Sequence, residues 1–194
     1  FRLMFLRADE FSARMAARRM ARYFKEKKEL FGAAKLASRI TQADLSETEK
    51  EIFSLGCFCV TGATDVHGRL IVYFRRKSFD DFLANSLKRS LLYLFQILEE
   101  HEDWQRKGMV CLLDLRECGL PNPSSGRRLY PFQRMFLHAI PCRLTCAHIV
   151  ANDNTFLPLL KLALVLIPNR VKARYQRHHG NSLQEIGSHL LPYG

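Results

Sequence analysis

The segment Met109-Val110-Cys111-Leu112-Leu113-Asp114-Leu115 is an apolar run interrupted only by Asp114. A run of that length predicts a strand buried on both faces, an environment found almost only in the middle of a largely parallel sheet. Strand and helix patterns alternate on either side of it. Residues 57–61 and 70–74 read as two strands joined across a turn at Asp65-Val66-His67-Gly68. Leu83, Leu87, Leu91, Leu94 and Leu98 form one stripe of a helix over 82–104. After the central strand come a loop (120–126), a helix (129–139), a strand (144–150), an apolar helix (156–166), a strand (171–175) and a helix (182–190). Such alternation predicts an α/β fold with a mixed, largely parallel sheet and flanking helices.

The segment before this pattern is helical. Across 12–31 the apolar residues Ala16, Met20, Tyr23, Phe24 and Phe31 recur at helical spacing, with Arg14, Arg18, Arg19, Arg22 and Lys25 between them. Ser12 is suited to the N-cap and Gly32 to the stop, and residues 1–7 then end an earlier helix. Ser46-Glu47-Thr48-Glu49 is a capping-box pattern ahead of a short helix within 41–53. The expected organisation is a small helical N-terminal lobe over 1–55 and an α/β domain over 56–194. Beginning at Phe1 and stopping at Gly194 after an apolar-Pro-Tyr run, the chain reads as a piece of a longer protein.

At 47% apolar and 25% charged residues the chain has the composition of a folded domain rather than a disordered one. Its formal charge of +11 favours phosphate-bearing partners without choosing between a membrane surface, a lipid headgroup and nucleic acid. The apolar stretch 156–168 is broken by Lys161 and falls short of the roughly 18 to 20 residues a bilayer crossing needs. Six cysteines lie mostly in strand-like runs, where a thiol behaves as a small hydrophobe, so a reduced cytoplasmic protein is expected.

Catalytic patterns are sparse. The strand-to-helix turns carry neither G-x-G-x-x-G nor GK[ST], so no phosphate cradle is expected in them. Ser124-Ser125-Gly126 lies in a Pro-rich segment, and Asp114 has no matched base or nucleophile. His138, Cys142, Cys146 and His148 do not have the spacing of a zinc finger or knuckle, and only Cys146 and His148 would share a strand face. No catalytic residue, metal or cofactor is expected. The arginines of 14–22 lack aromatic platforms beside them and read as a solvated face facing an anionic membrane, with no nucleic acid expected.

Several motifs occur in a recognisable order. Phe5-Leu6-Arg7-Ala8 followed by Phe11, the Asp65-x-x-Gly68-Arg69 turn leading into Ile71-Val72-Tyr73-Phe74, and Gly108 through Asp114 are three of them. Ile140-Pro141-x-Arg143-Leu144 and Leu191-Pro192-Tyr193-Gly194 complete the series. Together they resemble the signatures of the CRAL-TRIO lipid-binding family across essentially the whole chain. Leu70 replaces that family's usual proline, and Asp153-Asn154 stand where another proline is expected. In phosphatidylinositol-transferring members a glutamate after the "YP" proline and a lysine on the last strand hold the headgroup. The matching positions are Cys142 and Lys172, so half of that pair is kept, and the resemblance points instead to a hydrophobic carrier such as the tocopherol- and retinaldehyde-binding members.

The resemblance implies that 156–167 is a gate helix over a lipid pocket. Phe156, Leu157, Leu160, Leu164 and Val165 are then pocket wall, joined by Phe132 and Phe136 from the preceding helix. Lys172 and Arg174 are candidate headgroup anchors on the cationic side of their strand. The expected function is binding, with transfer or presentation, of one hydrophobic ligand by a monomer that meets anionic membranes transiently. The alternatives are a pocket-filled interaction scaffold and a basic nucleic-acid-binding domain.

Overall fold

A computed structural model describes residues 1–75, 82–116, 123–151 and 174–179, and the side chains of all of these except 123–129, 177 and 179. The chain opens with α1 (Arg2–Ala8) and α2 (Ala13–Phe31). Ser12 is the N-cap of α2 and Gly32 its stop, the latter at φ 82°, a conformation that costs glycine little. A third helix, α3 (Glu47–Ser54), starts at a complete capping box in which the Ser46 amide donates to Glu49 Oε2 at 2.7 Å.

The hairpin follows as β1 (Phe58–Thr64) and β2 (Leu70–Arg75), antiparallel with Phe58 opposite Phe74. Asp65 organises the turn: Oδ1 accepts from the His67 and Arg69 amides at 3.0 and 2.9 Å, and Oδ2 from Arg69 Nε at 2.6 Å. The single helix expected over 82–104 is two, α4 (Ala84–Leu98) and α5 (Glu102–Lys107). The chain bends between them, where the His101 amide bonds Leu98 O, and this turns Trp104 inward to within 6.0 Å of the Phe95 ring.

The central strand is β3 (Met109–Asp114), followed by α6 (Pro123–His138) and β4 (Leu144–Ala151). The expected loop over 120–126 is therefore corrected from residue 123 onward. Its Pro, Ser and Gly residues resemble a loop, but a proline at the first helical position has no amide to lose there. The final described strand, β5 (Tyr175–His179), begins where the expected strand of 171–175 ends. Its pairing with β4 falls on the polar Tyr-Gln-Arg-His-His sequence, and the earlier part of the expected strand, 171–173, lies outside the described residues. Residues 152–173 and 180–194, with the expected gate helix and last helix, lie outside the described residues.

The strands lie in the order β1-β2-β3-β4-β5, with β2 through β5 mutually parallel. Successive parallel strands stepping in one direction with right-handed crossovers put their helices on the same face. The core agrees. Phe58, Val72, Phe74, Met109, Cys111, Leu144 and Ala147 all share one side by register and pack with Leu87, Leu91, Phe95 and Met135 of the helices. Met4, Phe5, Ala16 and Tyr23 join the same cluster, so α1 and α2 bury their apolar faces in the core that the sheet uses.

Arg14, Arg18 and Arg22 are exposed on α2 as expected, but Arg19 is turned inward. Its guanidinium grips both Asp9 oxygens at 2.7 and 3.0 Å and donates to Leu137 O and Ile140 O at 3.0 and 2.8 Å. It ties the α1–α2 corner to the end of α6, and its place in the sequence does not distinguish it from its solvated neighbours.

Gly108 holds φ 84° immediately before β3, and a Cβ there would come within 2.6 Å of both Arg143 O and Thr145 Cγ2. The Met109 amide bonds that same Arg143 carbonyl, so the backbone cannot yield without loosening the β3–β4 junction. Gly108→Ala is expected to destabilise the fold by about 2 to 4 kcal/mol, through left-handed strain plus a backbone clash. A urea midpoint within error of the parent protein would refute this.

Candidate functional site

Core residues of the sheet occupy one parity of every strand, which leaves the other parity as a second face. It carries Ile71 and Tyr73 from β2, Val110, Leu112 and Asp114 from β3, Cys146, His148 and Val150 from β4, and Gln176 and His178 from β5. Val110, Cys146 and Val150 are buried yet belong to neither cluster of the core. The face thus has an apolar middle, while its polar groups gather toward the carboxyl ends of the parallel strands, where open α/β sheets commonly bind ligands.

Two hydrogen-bonded lines run through those polar groups. In the first, the Tyr73 hydroxyl donates to Asp114 Oδ2 at 2.8 Å, and Arg116 closes on the same carboxylate from Nε (3.0 Å) and Nη2 (2.6 Å). Burial works to raise the Asp114 pKa, but the Arg116 and Tyr73 donors outweigh it and hold the carboxyl below its ordinary range. Burial, reinforced by Asp114, pushes the Tyr73 hydroxyl up to about 12. Asp114 is therefore ionised and Tyr73 protonated at neutral pH.

In the second line, Cys146 Sγ lies 3.4 Å from His148 Nε2, and His148 Nδ1 lies 2.7 Å from His178 Nε2, with the two rings stacked at 5.0 Å. The sequence of thiol, imidazole and imidazole has the connectivity of a nucleophilic triad, but its electrostatics point elsewhere. Burial raises the Cys146 thiol and lowers the His148 imidazole, the latter helped by the Arg69 charge. An unionised thiol beside a neutral imidazole is suited to hydrogen bonding and packing rather than to attack. Among the described residues no group of three or more His, Cys, Asp or Glu side chains is arranged to hold a metal. Of the four residues weighed as zinc ligands, only Cys146 and His148 meet on one strand face. Cys142 is a buried thiol raised to about 12 mainly by burial, and His138 lies on α6, its pKa lowered by burial and then by the charges of Arg22 and Arg19.

Phe132 and Phe136, nominated as pocket wall, pack on the core side of the sheet. Phe132 stacks on Phe58 at 5.8 Å, and Phe136 meets Phe74 at 5.5 Å and Phe95 at 5.8 Å. Arg174, nominated as an anchor, precedes β5 and donates to Leu144 O and to Glu10, both at 2.7 Å. Phe156, Leu157, Leu160, Leu164, Val165 and Lys172 lie outside the described residues. The second face itself was missed in the sequence, and its signal was parity. Cys146 and His148 were noticed as a pair, but Tyr73, Asp114 and His178 join them only when the strands are set in register.

Among the described residues, a mixed sheet packs its core helices on one side and carries on the other an apolar-centred face with hydrogen-bonding groups at one end, an α/β arrangement. The chain belongs to the CRAL/TRIO domain family, whose description matches residues 53–192. Lipid binding in general accompanies that membership, and the family's members are typically carriers rather than enzymes. Among solved structures it resembles Sfh5, known from its crystal structure, with a TM-score of 0.62 at 10% identity. That match covers 91% of this chain and 62% of Sfh5, so the chain spans less than two thirds of that protein's length, and the likeness is one of fold. No curated protein matches the chain closely enough to count as a relative. Among the described residues no helix is long and apolar enough to cross a membrane.

Proposed function

We propose that the chain binds one hydrophobic, lipid-like molecule against the second face of its sheet and transfers or presents it at membranes. The observation that carries this reading is the face: Val110 and Val150 are buried and stand apart from the core, Val110 beside Ile71 and Cys146 with Leu112 two residues on, and Val150 between Asp114 and His178 at the polar end. A hydrocarbon ligand placed on such a surface gains on the order of 0.8 kcal/mol per methylene removed from water, so affinity needs apolar area more than catalysts. The apolar segment 156–167 is proposed as the gate, with Phe156, Leu157, Leu160, Leu164 and Val165 turned to the ligand and Lys161 to water. Lys172 is proposed to meet an anionic group of the ligand. Arg14, Arg18 and Arg22, exposed on α2 beside the exposed Phe11 and Met15, support docking of the carrier on anionic lipid.

Organic extraction of the natively purified protein followed by mass spectrometry is expected to return one lipid per chain. Leu112→Trp, which fills the second face without touching the core, is expected to lower that occupancy about tenfold while the protein stays folded. In a vesicle-to-vesicle transfer assay, Leu160→Asp with Leu164→Asp is expected to abolish exchange. Empty wild-type protein would favour the scaffold alternative, and a high 260 to 280 nm absorbance ratio the nucleic-acid one.

A further inference from the structure

Arginines stand just before three consecutive parallel strands: Arg106 ahead of β3, Arg143 ahead of β4 and Arg174 ahead of β5. Parallel pairing brings the starts of these strands to the same edge of the sheet, opposite to the carboxyl ends that carry Tyr73 and Asp114. There the α1–α2 corner meets them and encloses an open cleft of about 600 Å³ lined by Arg7, Glu10, Phe11, Arg106 and Arg143.

The charge in this cleft is unbalanced. Arg7 and Arg106 share one carboxylate, Glu102, each at 2.8 Å, and Arg174 pairs with Glu10 at 2.7 Å. Arg143 has no carboxylate partner among the described residues, and its Nε is buried without any hydrogen-bond acceptor. Among the described residues in and beside the cleft, four guanidiniums against two carboxylates leave a surplus of two positive charges, which is what a phosphate monoester, at about −1.5 to −2, would neutralise. A guanidinium fork also matches phosphate oxygens in geometry. Phe11 forms the lip of the cleft. Its φ of 61° follows Glu10 at 54°, so two successive left-handed residues hold the ring out, where it is 66% exposed. An aromatic plate beside a cationic cleft suits the organic part of a phosphate ester.

We infer that the Arg7–Arg106–Arg143 cleft is a second binding site, separate from the lipid face, for a phosphate-monoester group. That group can come from a soluble phosphate or from a lipid headgroup at a membrane surface. The site does not depend on the lipid reading, and either can fail alone.

The test has two arms. Calorimetry with phenyl phosphate, a soluble phosphate monoester, reads the soluble source. Sedimentation with phosphatidylcholine vesicles doped with phosphatidic acid, against vesicles doped with phosphatidylserine, reads the headgroup source. Binding is expected in at least one arm, with phosphatidic acid preferred over phosphatidylserine in the second. Arg143→Gln and Arg106→Gln are each expected to weaken binding about tenfold, the scale of one charge-assisted hydrogen bond. Arg106 is largely exposed, so its variant keeps the test valid even where Arg143→Gln fails to fold. Lys50→Gln on the exposed side of α3 is expected to leave phenyl phosphate binding unchanged. Absence of binding in both arms overturns the site, as does binding that Arg106→Gln leaves intact or that Lys50→Gln reduces equally.

Discussion

Replacing Glu99 by glutamine is expected to raise stability by about 2 to 3 kcal/mol at pH 8 and to leave it nearly unchanged at pH 4. Glu99 follows α4 and lies against Tyr23, and its Oε1 is buried with no hydrogen-bond partner. Burial pushes the carboxyl up to about 7, against the opposing attraction of Lys27 and Arg39. A carboxyl whose folded pKa exceeds its unfolded value near 4.5 binds more protons when folded, so this group favours the folded state fully below pH 4.5. That contribution is lost as pH rises through 7. Glutamine keeps the shape and never ionises, so its advantage appears over the same window. Thermal melts across pH 4 to 8 should show the two proteins diverging, by roughly 5 to 10 °C at the upper end. Parallel curves would mean that Glu99 is solvated well enough to ionise freely.

Arg19→Ala should cost about 3 kcal/mol or more, because it removes four charge-assisted hydrogen bonds from a partly buried junction. The Asp9 side chain is 1% exposed and loses the fork that neutralises it, while the Leu137 and Ile140 carbonyls at the end of α6 lose a donor. Arg19→Lys keeps the charge but cannot span Asp9 and both carbonyls, so it should recover only part of the loss. Arg18→Ala, one residue away on the solvated face, should change stability by less than about 0.5 kcal/mol. Urea titrations of the three variants decide the matter, and equal midpoints for Arg18→Ala and Arg19→Ala would refute the bridge.

Arg19 also illustrates what the sequence could and could not convey. Local chemistry was legible: the Ser46–Glu49 box, the Asp65 turn and the apolar β3 run each act over a few residues, and each appears in the structure, whereas Ser12 holds the N-cap position of α2 without a side-chain capping bond. Partners distant along the chain were not. Nothing in 14–22 marks Arg19 as the residue that reaches carbonyls more than a hundred positions away. The start of α6 was obscured because Pro123 and Gly126 are common to loops and to first helical turns. The second face was half legible, since Cys146 and His148 alternate with Ala147 and Ile149, but its other members lie on three further strands. The amino-edge arginines are the extreme case, being unremarkable residues until strand order gathers them.

The sequential order β1 to β5 has a consequence for how the molecule is made. Among the described strands each parallel one pairs with the one synthesised just before it, so a nascent chain can extend this part of its sheet as it leaves the ribosome without reserving a gap among them. The hairpin supplies the template, α4 and α6 cover one side as they appear, and the growing edge always has a finished neighbour. The last described strand, β5, brings Gln176 and His178 to the second face and Arg174 to the edge of the phosphate cleft. Both surfaces therefore receive their last described contributor late in synthesis, and a chain released before β5 would keep most of its core while lacking part of each.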